Sequence, residues 1–365
     1  MNPAPLESLV TIDDFEAAAR ERLTPMAYDY YRSGADEEHT LNRNRDAFAR
    51  YSIWYRTLVD VSAPKIATTM LGVDLPSPIA IAPTAYHRMA HVDGEQGTAR
   101  AAASAGALYV ASTLATTSLE DVAQAAPGAP QWFQLYVHRD RAFTRSLIDR
   151  AKAAGYRAIA ITADTPVLGR RCADVRNGFG LPEGMLMQNL LECLPHDLRN
   201  GTGSELARFV ASRHDPAFVW KDLRELVDAC APLPVVMKGI VRADDARRAI
   251  DEGAAAIWVS NHGGRQLDLA PATIEALPEI VQAVDDRAEI YVDGGIRSGT
   301  HAFVALALGA RAVFVGRPIL WGLATAGEQG VARVLSILRE ELVRAMQLAG
   351  CPDIASARDG VIRPQ

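Results

Sequence analysis

Residues 256–268 read Ala-Ile-Trp-Val-Ser-Asn-His-Gly-Gly-Arg-Gln-Leu-Asp. The first four form an unbroken apolar run, the pattern of a strand buried on both faces of a parallel sheet. Directly after it the chain presents His262 and, across two glycines, Arg265. Residues just past the carboxyl end of such a strand are held where a ligand can reach them. A histidine there can shuttle a proton, and an arginine can hold a carboxylate. Taken alone, the stretch reads equally well as a satisfied loop histidine beside a surface ion pair.

Similar apolar runs occupy 79–82, 107–111, 131–136, 158–163, 234–237, 289–292 and 312–315. Between them lie amphipathic patterns of helical period, such as 94–105, 141–154, 243–252 and 299–308, several followed by a glycine suited to a helix C-cap. Eight strand-then-helix units predict a (β/α)8 TIM barrel more than an open doubly wound sheet. No G-x-G-x-x-G follows the first strand, which removes the usual dinucleotide fingerprint. The whole chain, 1–365, is expected to be one domain, with an N-terminal helical cap over 1–75 and the barrel over 76–350. In the cap, 11–23 reads as a helix with Asp13, Asp14 and Glu16 near its start. Thr24-Pro25 reads as the N-cap and first residue of a second helix, with Gly34 as its stop. The longest connection, 165–232 after the fourth strand, contains the apolar stretch 185–194 and the polar stretch 197–204. On the active face such a loop is expected to be a lid, its apolar patch suiting also a membrane or a neighbouring subunit.

Composition narrows the partners. A chain of 365 residues with 49% hydrophobic content can bury a large core. A net charge of -6 without a concentrated basic face excludes nucleic acid as main partner. No basic-then-apolar leader and no apolar run of membrane-spanning length is present, so a cytoplasmic location is expected and a membrane partner is not. Cys172, Cys193, Cys230 and Cys351 lack C-x-x-C spacing and are expected as thiols. His87 and His91 have the spacing of a helical metal pair, but no third ligand accompanies them, so no metal is expected.

Polar residues gather at the strand ends. Pro83, Thr84 and Ala85 follow the first strand and Ser112 the second. Gln134 and Tyr136 belong to the third, and Thr162, Asp164, Arg170 and Arg171 to the fourth. Lys238 follows the fifth, and Ser260, His262 and Arg265 follow the sixth. After the seventh come Asp293, Gly294, Gly295, Ile296 and Arg297, and after the eighth Gly316 and Arg317. Such convergence on one rim is what a barrel active site requires. Glycine backbones beside arginines in the last two loops suit a phosphate. Backbone amides at Thr84 and Ala85, the Gln134 carboxamide and the Ser112, Thr162 and Ser260 hydroxyls suit a flat heterocycle, with Lys238 adding positive charge.

With these motifs the chain resembles the FMN-dependent 2-hydroxy-acid oxidase and dehydrogenase family, which includes glycolate, lactate and mandelate-oxidising enzymes. The resemblance covers nearly the whole chain. It is carried by Tyr28-Asp29-Tyr30-Tyr31, Ala82-Pro83-Thr84-Ala85, Phe133-Gln134-Leu135-Tyr136, Asp164-Thr165-Pro166 with Gly169-Arg170-Arg171, Ser260 to Asp268, and Asp293-Gly294-Gly295-Ile296-Arg297. It implies non-covalent FMN, a barrel, and assembly as a homotetramer or homo-octamer. It places FMN contacts on Pro83, Thr84, Ala85, Ser112, Gln134, Thr162, Lys238, Ser260, Asp293, Gly294, Gly295, Ile296, Arg297, Gly316 and Arg317. Substrate contacts fall on Tyr30, Tyr136, Arg171, His262 and Arg265. In this reading Arg171 and Arg265 hold the carboxylate, with Tyr30 as a third donor. Tyr136 bonds the hydroxyl oxygen, and His262 is the base, oriented by Asp164. His262 takes either the Cα proton, or the hydroxyl proton while hydride passes to FMN; both routes use the same groups.

The resemblance implies oxidation of an (S)-2-hydroxy acid to a 2-oxo acid. Dioxygen is the expected acceptor, giving hydrogen peroxide, because Ala85 stands where glycolate oxidase also has alanine. The alternatives are a dehydrogenase passing electrons to a quinone or other acceptor, and a non-redox FMN- or phosphate-binding barrel such as an isomerase. Leu114 stands where glycolate oxidase resembles this chain but carries tryptophan over the substrate's side chain. A wider pocket than glycolate needs is therefore expected.

Overall fold

A strand that is apolar on both faces must supply two cores, one inside the sheet's curve and one beneath its helices. The structure is a computed structural model that describes residues 5–193 and 212–365. Its barrel strands are β1 (Ile79–Ile81), β2 (Tyr109–Ser112), β3 (Gln131–Leu135), β4 (Ile159–Thr162), β5 (Val235–Ile240), β6 (Ala256–Val259), β7 (Glu289–Val292) and β8 (Ala312–Val315). They pair in parallel in chain order, and β8 returns to β1 through Val313 and Ile79, so the sheet closes. All eight anticipated runs are strands, and the (β/α)8 architecture is the one observed. Strand β5 runs further than anticipated, to Ile240, because Gly239 at φ +99° lets it bulge past Lys238 and keep pairing with β6.

Alternation within β6 shows the two cores. Ala256 and Trp258 pack inside the barrel, while Ile257 and Val259 pack outward. The interior is filled by Trp132, Trp258, Tyr291 and Phe314 set against small residues such as Ala80, Ala158, Ala160 and Ala312. The Trp258 and Phe314 ring centroids lie 3.8 Å apart. Large rings against alanines fill a small barrel without voids, so it is a packed core rather than a pore. The hairpin of Thr68–Met70 and Val73–Leu75, which leads into β1, adds Met70 and Leu75 to this inner core.

The N-terminal cap forms as its sequence signals require. In α1 (Ile12–Arg22) the Thr11 hydroxyl accepts the Asp14 N–H, and the Asp14 carboxylate accepts the Thr11 N–H at 2.8 Å. In α2 (Pro25–Arg32) the Thr24 hydroxyl accepts the Ala27 N–H, with Pro25 in the first turn. That helix ends at Ser33 in extended conformation, one residue before the anticipated stop. Gly34 serves a different need, since a Cβ there would lie 2.9 Å from the Gly264 carbonyl oxygen. Helix α3 (His39–Asp46) has no cap of its own, and the Asp268 carboxylate accepts N–H groups from Thr40 at 2.7 Å and His39 at 3.2 Å. Asn44 and Asn261 exchange amide hydrogen bonds of 2.9 and 2.8 Å. The loop carrying His262 and Arg265 is thus fastened to the cap from both ends.

Among the described residues a main helix follows each strand: α4 (Gly94–Ala105), α5 (Leu119–Ala125), α6 (Arg141–Ala153), α7 (Trp220–Cys230), α8 (Ala243–Asp251), α9 (Thr273–Val284), α10 (Gly299–Ala307) and α11 (Arg317–Ala349), the last broken at Ala326 and Gly327. The stretch 165–232, expected as a lid, therefore includes barrel helix α7, which buries Leu223, Leu226 and Cys230. Its apolar part faces inward too. Met187 and Leu190 are fully buried, and the Asn189 side chain accepts the Leu119 N–H at 2.8 Å. That burial argues against a membrane-facing or subunit-facing role for these residues. Residue 194 and the polar stretch 197–204 lie outside the described residues. Among the described residues no helix is long and apolar enough to cross a membrane, and all four cysteines are free.

Candidate active site

The ends of all eight strands, together with α2 and residues 168–179, enclose a cavity of about 640 Å³. Every residue anticipated to touch cofactor or substrate lines it except Ser260, and Asp164 likewise stands behind the wall. Both act through neighbours. The Ser260 hydroxyl accepts from the Lys238 ammonium at 2.8 Å and donates to Asp293 at 2.7 Å, and Lys238 also pairs with Asp293 at 3.2 Å. Asp164 accepts from His262 Nδ1 at 2.8 Å, and its carboxylate is kept close by Gly239, where a Cβ would meet Asp164 at 2.7 Å.

His262 sits at φ +58° in the turn after β6. A left-handed non-glycine residue costs energy and is retained where surroundings over-determine it. Here the Ser260 hydroxyl holds the His262 N–H at 3.1 Å, and Asp164 holds the ring. The Asp164 side chain is itself only 12% exposed. Burial pushes its carboxyl up, but the His262 ring, Lys238 and the Thr165 hydroxyl outweigh burial and hold it below the ordinary carboxylate value. Burial pushes His262 down, and the Asp164 charge only partly offsets this, so the ring lies below the ordinary histidine value. The resting pair is an aspartate accepting from a neutral imidazole, which puts the proton on Nδ1 and the free lone pair on Nε2. Nε2 lies 3.4 Å from the Tyr136 hydroxyl. Burial and the Asp164 charge raise the Tyr136 phenol well above its ordinary value, so it remains a neutral donor.

Arginines supply the site's positive charge. Arg265 donates through Nη1 to the Tyr30 and Ser33 carbonyls at 2.6 and 2.8 Å, and its guanidinium lies 4.8 Å from the Tyr30 ring centroid. Burial and the Arg171 charge lower it to about 10. Arg171 Nε is buried without a hydrogen-bond partner. Two adjacent guanidinium groups, one with a free donor, have the chemistry to hold a carboxylate. In the loop after β7 Arg297 Nε is also buried and unpartnered, and burial with the Arg45 charge lowers Arg297 to about 10. Arg317 is held by the Tyr31, Gly263 and Ser33 carbonyls, and burial pushes it well below its ordinary value. Beside the glycines at 294, 295 and 316, this second group fits a dianionic phosphate. Gln134 bridges its neighbouring strands, donating to Thr162 at 2.9 Å and accepting from the Thr113 N–H at 3.1 Å.

Several cavity residues carried no readable assignment. Tyr31 lies in the quoted cap motif, and its hydroxyl donates to the Tyr86 carbonyl at 2.7 Å. Tyr86 itself has φ +63° and receives its backbone bond from the Leu114 loop, its N–H donating to the Leu114 carbonyl at 3.3 Å. Phe179 stacks on Tyr30 at 4.3 Å, and His214 stacks on Tyr136 at 4.5 Å. Asp174 has one buried carboxylate oxygen without a partner, and burial raises its carboxyl above the ordinary value. His87, by contrast, bonds Thr84 and Thr98 inside the fold, and among the described residues no cluster suits a metal ion.

Comparisons with known proteins agree with this chemistry. An L-lactate oxidase of Nostoc sp. is 50% identical over 353 residues, covering 96% of each chain. The human 2-hydroxyacid oxidase 1 is 48% identical over 353 residues, covering 96% of this chain and 95% of the relative. A mandelate oxidase solved with (S)-4-hydroxymandelic acid superposes with a TM-score of 0.91 at 43% identity, covering 98% of this chain and 99% of the other. The family model described as FMN-dependent dehydrogenase matches residues 19–364, and with it the barrel, the phosphate-type loops and the strand-end polar set place this chain in the FMN-dependent dehydrogenase family.

Proposed function

We propose that the chain oxidises (S)-2-hydroxy acids to 2-oxo acids with dioxygen as final acceptor, and that it favours side chains larger than glycolate's. One observation carries the reading: a neutral His262 backed by Asp164 faces the same cavity as Arg265 and the unpartnered Arg171. Arg171 and Arg265 hold the carboxylate, and Tyr30 adds a donor from above. That fixes the hydroxyl-bearing carbon beside Tyr136 and His262. Tyr136 donates to the hydroxyl oxygen, and His262 Nε2 accepts the departing proton while Asp164 stabilises the imidazolium. Bound FMN supplies the two-electron acceptor. The Lys238 ammonium, held by Ser260 and Asp293, gives that end of the cavity a fixed positive charge. Burial of the base predicts the acid limb of activity. His262 must be neutral to act, and burial holds it below the ordinary histidine value, so the midpoint of the acid limb of kcat/KM should lie below pH 6.5. A profile whose acid limb lies above pH 6.5 would contradict the neutral resting ring.

The substrate class rests on the pocket's apolar wall. Leu114, Tyr86, Phe179 and Leu168 line the cavity, with Tyr30 and Tyr86 at 5.4 Å between ring centroids. Each methylene buried against such a wall is worth roughly 0.8 kcal/mol, about a fourfold gain in kcat/KM until the space is filled. A series from glycolate through (S)-lactate and 2-hydroxyoctanoate to (S)-mandelate should therefore rise in kcat/KM beyond glycolate. Leu114→Trp should return the preference toward glycolate. A maximum at glycolate in the unaltered chain would overturn this part of the reading.

The lactate and mandelate oxidases among the relatives support dioxygen as acceptor. Transfer to a quinone is the second reading, favoured by Val167 and Val175, apolar residues 63% and 67% exposed on the segment that borders the cavity. Assembly as a homotetramer or homo-octamer and a cytoplasmic location complete the proposal.

A further inference from the structure

Tyr136 is the residue of the proposed proton-handling set whose orientation the fold leaves least determined. Rotation of a tyrosine ring about its last side-chain torsion is broad, so packing must set the plane. Its hydroxyl lies 3.4 Å from His262 Nε2, longer than an ordinary O–H···N bond. The ring is nonetheless nearly parallel to that of His262, at 15°.

The Tyr136 ring also packs against His214. The His214 ring stacks on it with centroids 4.5 Å apart at 23°. Behind it stands His138, edge-on to His214 at 6.0 Å and to Phe143 at 5.0 Å. The two histidines form an antiparallel bridge, flanked by Arg139 N–H donating to the Arg213 carbonyl at 2.9 Å and Asp215 N–H donating to the Val137 carbonyl at 3.0 Å. Arg141 ties the same segments together, bonding the Asp215 carboxylate and the His138 carbonyl. Both histidines are buried, and none of their four ring nitrogens makes a hydrogen bond of good geometry, the Thr165 backbone being only a weak polar neighbour of His214. A buried imidazole so weakly bonded contributes by shape: it is a flat plate. Burial also keeps both rings uncharged, each lowered to about 4.

We propose that His214 is a positioning residue for the oxidation, a plate whose stacking fixes the plane of Tyr136 so that its hydroxyl meets the substrate hydroxyl and His262 together. The inference rests on the function proposed above. The test compares His214→Leu, which keeps volume and loses flatness, with His214→Phe, which keeps the plate, in holoenzyme and with and without Tyr136→Phe. Small misplacements of catalytic groups cost up to about 10²-fold, so His214→Leu should lower kcat by about tenfold while KM changes little. His214→Phe should restore most of the rate. In the Tyr136→Phe background, His214→Leu should have almost no further effect, the signature of one residue acting through another. Equal losses in both backgrounds, or a phenylalanine variant as slow as the leucine one, would overturn the proposal. Fluorine NMR of fluorotyrosine-labelled protein gives a readout independent of turnover. The Tyr136 resonance, identified by its loss in Tyr136→Phe, should shift or broaden in His214→Leu and stay in place in His214→Phe, whereas an unchanged resonance in both would refute the plate. Absence of any reaction with 2-hydroxy acids in the unaltered chain would instead sink the functional reading and leave the spectra to decide the role of His214.

Discussion

Replacing His262 with alanine is expected to leave FMN bound and to slow reduction of the flavin by a 2-hydroxy acid by about 10²- to 10⁴-fold or more. A positioned general base contributes about that much, and here the same ring also orients the hydroxyl through Nε2. Neither hydrogen-bonding neighbour of the ring can take over. Tyr136 has its phenol raised by burial and the Asp164 charge, and Asp164 lies behind the imidazole, outside the cavity lining. Cofactor retention follows from geometry, because the phosphate-type loops at 294–297 and 316–317 do not depend on the His262 ring. Anaerobic stopped-flow reduction of the FMN-loaded variant measures the effect. A rate within a factor of a few of the unaltered protein would remove His262 from the mechanism.

Arg171→Lys and Arg265→Lys should each lower kcat/KM by roughly ten- to a hundredfold, the worth of one charge-assisted hydrogen bond in a buried site. Lysine keeps the charge but not the fork. For Arg171 the lost feature is the free Nε donor. For Arg265 the substitution also abandons the Tyr30 and Ser33 carbonyls, which tie the cap to the site, so KM and the reduction rate should both suffer. Steady-state kinetics with (S)-lactate or (S)-mandelate separates the two parameters. An unchanged KM in both variants would place the carboxylate elsewhere.

The barrel was legible because burial on both faces leaves an unbroken apolar run, and eight such runs survive as eight strands. The site was legible for a related reason, since a barrel collects its chemistry at strand ends and those residues are adjacent in sequence to the runs. Helix α7 was hidden by the length of the connection around it, although Trp220, Leu223, Leu226 and Cys230 recur at near-helical spacing. Asp268 stood in a recognised motif, but its work as the N-terminal cap of α3 joins residues 228 apart and has no local signature. Tyr86, Phe179 and His214 reach the cavity through a left-handed turn, an aperiodic stretch and a backbone bridge. Tertiary contacts decide each of those, and hydrophobic period does not report them.

The proposed reaction carries electrons from a 2-hydroxy acid through FMN to dioxygen. Mixing the FMN-loaded protein anaerobically with (S)-lactate or (S)-mandelate, then admitting air, tests it in one cuvette. The expected result is prompt bleaching of the flavin, formation of the 2-oxo acid, and full return of colour in air with one hydrogen peroxide per turnover. Bleaching followed by slow recovery without peroxide would contradict dioxygen as acceptor, and a flavin that no 2-hydroxy acid bleaches would contradict 2-hydroxy-acid oxidation at this site.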